Sequence, residues 1–116
     1  MRRTVVRSPR VGDDLISIYA YVHTHNPTAA DRLLDAVEST VRRLSSMPER
    51  GRLWPSAEPL LAGMRVVSVP GFRSYLVFYR STRARVEIYR VVHGARELDH
   101  VLGSLDLEGA GDDDND

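Results

Sequence analysis

Between residues 44 and 64 the hydrophobic period of this 116-residue chain changes from that of a helix to that of a strand. That change limits the fold class more than any single motif does. Upstream, Leu15, Ile18, Tyr19 and Val22 recur at i, i+3, i+4 and i+7, one face of an amphipathic helix over 11–22. Asp13 and Asp14 fall in its expected first turn, where the positive end of the helix dipole favours acids. The run His23-Thr24-His25-Asn26-Pro27 breaks the helix. Asn26 then supplies an N-cap, and Pro27 suits a first helical position, where its missing N–H costs nothing. Ala30, Leu33, Leu34, Val37, Val41 and Leu44 continue the stripe, with Glu38 and Arg42 at i, i+4 on the surface. Pro48 ends this second helix and Glu49-Arg50-Gly51 reads as a turn. Two helices joined by so short a break predict an antiparallel hairpin.

Downstream, Met64–Val69, Ser74–Arg80 and Val86–Val92 are rich in valine and aromatics, separated by Pro70-Gly71 and by residues 81–85. Tyr75-Leu76-Val77-Phe78-Tyr79 is apolar on both parities, so it predicts a central strand covered on both faces. Thr4-Val5-Val6 predicts a short edge strand ended by Ser8-Pro9, and residues 52–63, with two prolines, predict a loop. Glu97–Leu105 predicts a short C-terminal helix. The expected class is α+β, with an N-terminal strand and a helix hairpin packed on one face of a three-stranded antiparallel sheet. One domain over 1–107 and an acidic, disordered tail over 108–116 complete the expectation.

Composition narrows the function. With no cysteine there is no disulfide framework, thiolate metal site or thiol nucleophile. No apolar run approaches the ~18 residues of a membrane span, and the basic start has no apolar stretch behind it, so a cytoplasmic chain is expected. All sixteen cations are arginines, against sixteen acids. Five of those acids (Glu108, Asp112, Asp113, Asp114 and Asp116) lie in the tail, leaving residues 1–107 at a formal +5. Between Met64 and Arg96 seven arginines face one acid, Glu87, which suggests an anionic partner. His23 and His25 are two apart and point away from one another on a helix, so no metal site and no cofactor is expected. His93 and His100 flank Arg96, Glu97 and Asp99, types able to move protons, although a turn built around Gly94 is the preferred account of the segment. Trp54 stands apart from the strand aromatics in a proline-rich loop, where it covers the sheet or anchors a partner.

In order along the chain, Asp14-Leu15-x-x-Ile18-x-x-Tyr21, Asn26-Pro27-x-Ala29-Ala30, Leu44-x-x-x-Pro48-x-x-Gly51, Gly63-Met64-Arg65, Tyr75-x-Val77-Phe78-Tyr79-Arg80 and Val92-His93-Gly94-Ala95-Arg96 resemble the ParE/RelE superfamily of bacterial type II toxins, on the ParE side. The likeness spans about residues 3–102. It implies a toxin held inactive by a cognate ParD-like antitoxin. ParE-type members poison DNA gyrase by trapping its cleavage complex, and RelE-type members cut mRNA in the ribosome. In a toxin of this kind the basic sheet end, Arg65, Arg73, Arg90 and Arg96, is expected to dock on the target, and faces near Tyr21, Trp54 and Leu60 are the candidates for antitoxin binding. For a ribonuclease the catalytic candidates are Arg73, Arg96 and His93. Leu102 falls where a RelE-type chain carries tyrosine, and it cannot transfer a proton. A gyrase inhibitor that is not itself an enzyme is therefore expected ahead of an mRNA endonuclease or a non-toxic antitoxin-binding homologue. The chain shows no helix-turn-helix, so operator contact falls to the antitoxin.

Overall fold

Ser8 and Pro9 decide where the first helix begins. The structure, a computed structural model, describes residues 2–55 and 57–94. Pro9 sits at the first helical position and Ser8 at the N-cap, so α1 runs Pro9–His25, two residues earlier than the apolar stripe suggests. Asp13 and Asp14 consequently lie in the second turn rather than beside the positive helix end. Asn26 ends α1 by donating its backbone N–H to the Val22 carbonyl (2.8 Å). Its side chain opens α2, Pro27–Ser46, by accepting the Ala29 N–H at 3.0 Å, as expected of an N-cap. Tyr19 donates its hydroxyl across the hairpin to Asp31 (2.6 Å). No helix among the described residues is long and apolar enough to cross a membrane.

The strands are β1 (Thr4–Arg7), β2 (Arg52–Leu53), β3 (Met64–Val69), β4 (Phe72–Ser81) and β5 (Arg85–His93), in the order β1-β5-β4-β3-β2. The expected three-stranded antiparallel sheet is present as β3, β4 and β5, but it is the centre of a five-stranded mixed sheet. β1 adds to β5 in parallel, Thr4 opposite Arg85 and Arg7 opposite Ile88. β2 adds antiparallel to β3, Arg52 opposite Val66 and Leu53 opposite Arg65. Two residues ahead of a proline are too few to show alternation, which is why β2 reads as loop. The pairing partner of β1 lies some eighty positions away and leaves no local trace. The helix expected over Glu97–Leu105 and the acidic tail over 108–116 lie outside the described residues.

Pro70 and Gly71 turn β3 into β4, with Gly71 at φ 84°, a conformation glycine adopts without steric cost. β4 is the middle strand, and Val77, Phe78 and Tyr79 expose no surface. Val77 and Tyr79 pack with Leu33, Val37, Val41 and Leu44 of α2. Phe78 packs on the opposite face with Leu61, Met64, Val66 and Val92. The helices therefore cover one face, and the chain between β2 and β3 covers part of the other. Each fully buried Leu, Val or Phe contributes about 1.5–3 kcal/mol. Between β4 and β5 the register slips by one, with Phe78 opposite Arg90 and Tyr79 opposite Ile88, leaving Tyr89 as the extra residue of a bulge.

Just beyond the end of β1, α1 reaches across to β5. The Asp14 carboxylate accepts two hydrogen bonds from the Arg90 guanidinium, each 2.8 Å, and a third from the Val91 backbone N–H at 2.9 Å. Both side chains are close to nine-tenths buried. Asp14 thus satisfies a backbone donor at the point where β1 leaves the edge of β5. Asp14→Ala is expected to cost about 3–5 kcal/mol, because it takes the carboxylate away from a buried cation and from the Val91 N–H. Asp14→Leu/Arg90→Met should recover a large part of that loss. Chemical denaturation of the two variants checks this, and equal losses would mean that the charge pairing is not the source.

Candidate functional site

Two polar anchors hold the chain that follows α2. The buried Tyr79 hydroxyl donates to the Pro48 carbonyl and accepts from the Gly51 N–H, both at 2.8 Å. Arg65 donates to the Gly51 carbonyl at 2.6 Å. A Cβ on Gly51 would meet the Tyr79 ring and the Val66 carbonyl within 2.8 Å, so only glycine allows this approach. On the other face, Trp54 meets Phe78 edge-on at 5.6 Å between ring centroids. Arg80 donates to the Leu60 carbonyl at 2.6 Å and lies over the Tyr89 ring at 5.4 Å. Tyr89 donates to Glu87 at 2.8 Å, and Arg85 holds the other oxygen of that carboxylate at 2.9 Å. These contacts fix the Pro59–Leu61 3₁₀ turn against the sheet.

The four arginines expected to bind the target do not form one patch. Arg65, opposite Tyr79, is tied to the Gly51 loop. Arg73 is exposed at the start of β4, six residues before Tyr79 and so about 20 Å along the strand. Arg90 is committed to Asp14, and Arg96 lies outside the described residues. Arg73 and His93 do share one end of the sheet: His93 is opposite Tyr75, with the two rings edge-on at 5.1 Å. His93 Nδ1 is buried without a hydrogen-bond partner among the described residues. His23 and His25 each lie against a tyrosine one turn earlier on α1, Tyr19 and Tyr21 respectively. Among the described residues no group of three or more metal-ligating side chains gathers.

The residues expected to meet the antitoxin fall on two faces. Tyr21, 52% exposed, is on α1 in the helix layer, as is Ile16 at 71%. Leu60 is exposed and Trp54 half-buried on the opposite side of the sheet. Beyond β2, the outer edge of β3 over residues 67–69 has no strand partner among the described residues.

A concentration of arginine at the β4–β5 turn escapes a linear reading. Parallel pairing of β1 with β5 sets Thr4 opposite Arg85 and brings the Arg3 guanidinium onto the Thr82 and Arg83 carbonyls, about eighty positions later, with Arg2 next to Arg3 in the chain. Charge counting in short windows finds Arg83 and Arg85 but cannot join them to the N-terminus.

A helix hairpin on one face of a five-stranded mixed sheet, with a polar-anchored loop crossing the other, is the architecture in hand. Over residues 5–98 the sequence matches the family described as the ParE toxin of the type II toxin–antitoxin system parDE, and the chain belongs to that family. Among solved structures it is similar to one described as the chromosomal ParDE TA system from P. aeruginosa. That likeness has a TM-score of 0.65 at 18% identity and covers 79% of this chain and 96% of that one. A comparison with curated protein sequences gives no significant match.

Burial pushes the Tyr79 phenol above its ordinary value of 10, while the Gly51 N–H and nearby Arg65 and Arg50 pull the other way. As pH rises through 10 the unfolded phenol ionises first, so this contribution is complete below pH 10 and is lost above it. Tyr79→Phe should cost about 1–3 kcal/mol at neutral pH, by stranding the Gly51 N–H and the Pro48 carbonyl. It should also reduce the alkaline fall in stability. Urea unfolding at neutral pH and above pH 10 checks both; an unchanged neutral stability would rule out the anchor.

Proposed function

We propose that the chain acts as a toxin by binding DNA gyrase and trapping its cleavage complex, and that a ParD-like antitoxin neutralises it in the cytoplasm. Membership of the ParE family across both helices and all five strands carries this reading. The exposed Arg73 supplies the target contact, together with Arg96. Arg65 and Arg90 act through the framework, by positioning the Gly51 loop and the β5 edge. The chemistry is protein–protein inhibition, with no cofactor or metal.

The antitoxin covers Tyr21 on the helix layer, and Trp54 and Leu60 on the opposite face. An amphipathic segment suits the first surface and an extended strand suits the open β3 edge beside the second. Arg73 and His93 at one sheet end support a second reading, cleavage of ribosome-bound mRNA, in which His93 transfers a proton and Arg73 and Arg96 meet the phosphate.

Purified chain is expected to stop gyrase from supercoiling relaxed plasmid, to leave linear DNA after detergent quenching, and to lose both effects when the antitoxin is added. Gyrase unaffected by a large excess of the chain would reject the reading. Cleavage of ribosome-bound mRNA that depends on Arg73 would then replace it. If induction also fails to slow growth, the chain is an antitoxin-binding homologue without toxicity.

Tyr21→Arg and Leu60→Arg should each weaken antitoxin binding by about tenfold or more, as loss of an apolar contact at an interface centre does. Both side chains are exposed, so thermal stability should hold. Titration calorimetry decides, and unchanged affinity in both variants would remove these surfaces.

A further inference from the structure

The arginines at the β4–β5 turn are assembled by backbone geometry. Thr4 lies opposite Arg85 and donates its N–H to the Ala84 carbonyl at 3.1 Å. Arg3 donates its Nε to the Thr82 and Arg83 carbonyls, at 2.9 and 3.2 Å. Its backbone N–H goes to the Ser45 carbonyl at the end of α2 (2.7 Å), which brings the last turns of that helix, and Arg42, to the same end. Arg2, Arg42, Arg83 and Arg85 are exposed and Arg3 is half-buried.

The carboxylates nearest this cluster are already engaged. Glu87 is held by Arg85 and Tyr89, and Glu38 by Arg7, with Arg42 also lowering the pKa of the Glu38 carboxyl. Arg2 and Arg83 have no carboxylate partner among the described residues. Arg85 is itself paired with Glu87, so the positive charge of this end rests chiefly on Arg2, Arg3 and Arg83, and it attracts anions.

The chain carries an anion of matching size. Residues 1–107 have a formal charge of +5, and residues 108–116 supply five acids and no cation. We propose that the segment 108–116 docks in cis on the cluster formed by Arg2, Arg3, Arg42, Arg83 and Arg85, covering it against other anionic partners.

Reach permits the contact. The cluster is at the start of β5 and the described chain leaves from its end, about 27 Å away along eight strand residues. The thirteen residues 95–107 can span up to about 45 Å. Because the segment is tethered, it competes at an effective concentration near the millimolar range, an advantage that a free carboxylate peptide or nucleic acid lacks. Contacts between exposed charges weaken once the Debye length falls below their spacing, so the docking is lost at high salt.

The test compares the full chain with the full-length variant E108Q/D112N/D113N/D114N/D116N. At low salt the backbone amide resonances of Arg83, Ala84 and Arg85 should shift between the two, independently of protein concentration, and the difference should vanish in high salt. A cluster about nine-tenths covered has its apparent affinity reduced about tenfold, so the variant should bind a short oligothymidylate probe about tenfold more tightly. In an Arg2→Ser/Arg83→Ser background the tail substitutions should leave probe affinity unchanged. Amide shifts that do not differ would overturn the proposal. So would shifts that grow with protein concentration, which assign the contact to a second copy. Equal probe affinity with and without the five acids would assign the cluster to nucleic acid and overturn it as well. None of these outcomes depends on gyrase, so this inference and the functional reading fail separately.

Discussion

Complete burial of Val77, Phe78 and Tyr79 is the constraint on which the rest of the structure depends. Successive residues of a strand point to opposite faces, so three in a row without exposure require cover on both. The helix hairpin supplies one cover through the α2 stripe. The other side has no α-helix among the described residues, and the chain between β2 and β3 takes that role with Leu61 and Trp54. That segment is short, proline-bearing and poor in backbone pairing, so polar ties hold it in place. Arg80 ties the segment through the Leu60 carbonyl, while Tyr79 puts its ring in the helix-side core and fixes Pro48 and Gly51, ahead of β2, with its hydroxyl.

Charged side chains divide into those that build the framework and those left for partners. Asp14 and Arg90 are buried and joined by two hydrogen bonds, so their pairing offsets a desolvation cost that neither could meet alone. Arg7 and Glu38 join β1 to α2 at the surface, where the pair contributes well under 1 kcal/mol. Arg7 holds the Glu38 carboxyl below its ordinary value, so what it contributes is lost as acid protonates that group. Arg65 and Arg80 donate to loop carbonyls rather than to solvent. Arg73 remains exposed, which separates it from its neighbours as a residue available to a macromolecular partner.

Much of this architecture was legible in the sequence because its signals are local. Helix periodicity, the Asn26-Pro27 start, the Pro70-Gly71 turn and the two-sided apolarity of Tyr75–Tyr79 each act within a few residues, and each appears in the structure. The missing pieces are relations across the chain. β2 is too short to show a period, and the parallel partner of β1 is about eighty residues away. Asp14 reads as a residue favoured by the helix dipole until Pro9 is seen to start the helix early, which moves it beside Arg90. The site followed the same pattern: residue types identified arginine-rich strands, but only the strand pairing shows that Arg65 and Arg73 are separated and that Arg3 meets Arg83.

The parallel pairing of β1 with β5 also sets when the fold can close. The first strand emerges at synthesis with no neighbour, and its partner, residues 85–88, is made only after both helices and three further strands. Contacts this distant in sequence carry a loop-closure cost and slow folding. The edge that Asp14 and Ser8 help to complete is therefore finished late, with Ser8 donating to the Ile88 and Tyr89 carbonyls only once β5 exists. A nascent chain that has released its helix hairpin still lacks the β5 face, and this edge of the native surface comes into being only once β5 has been made.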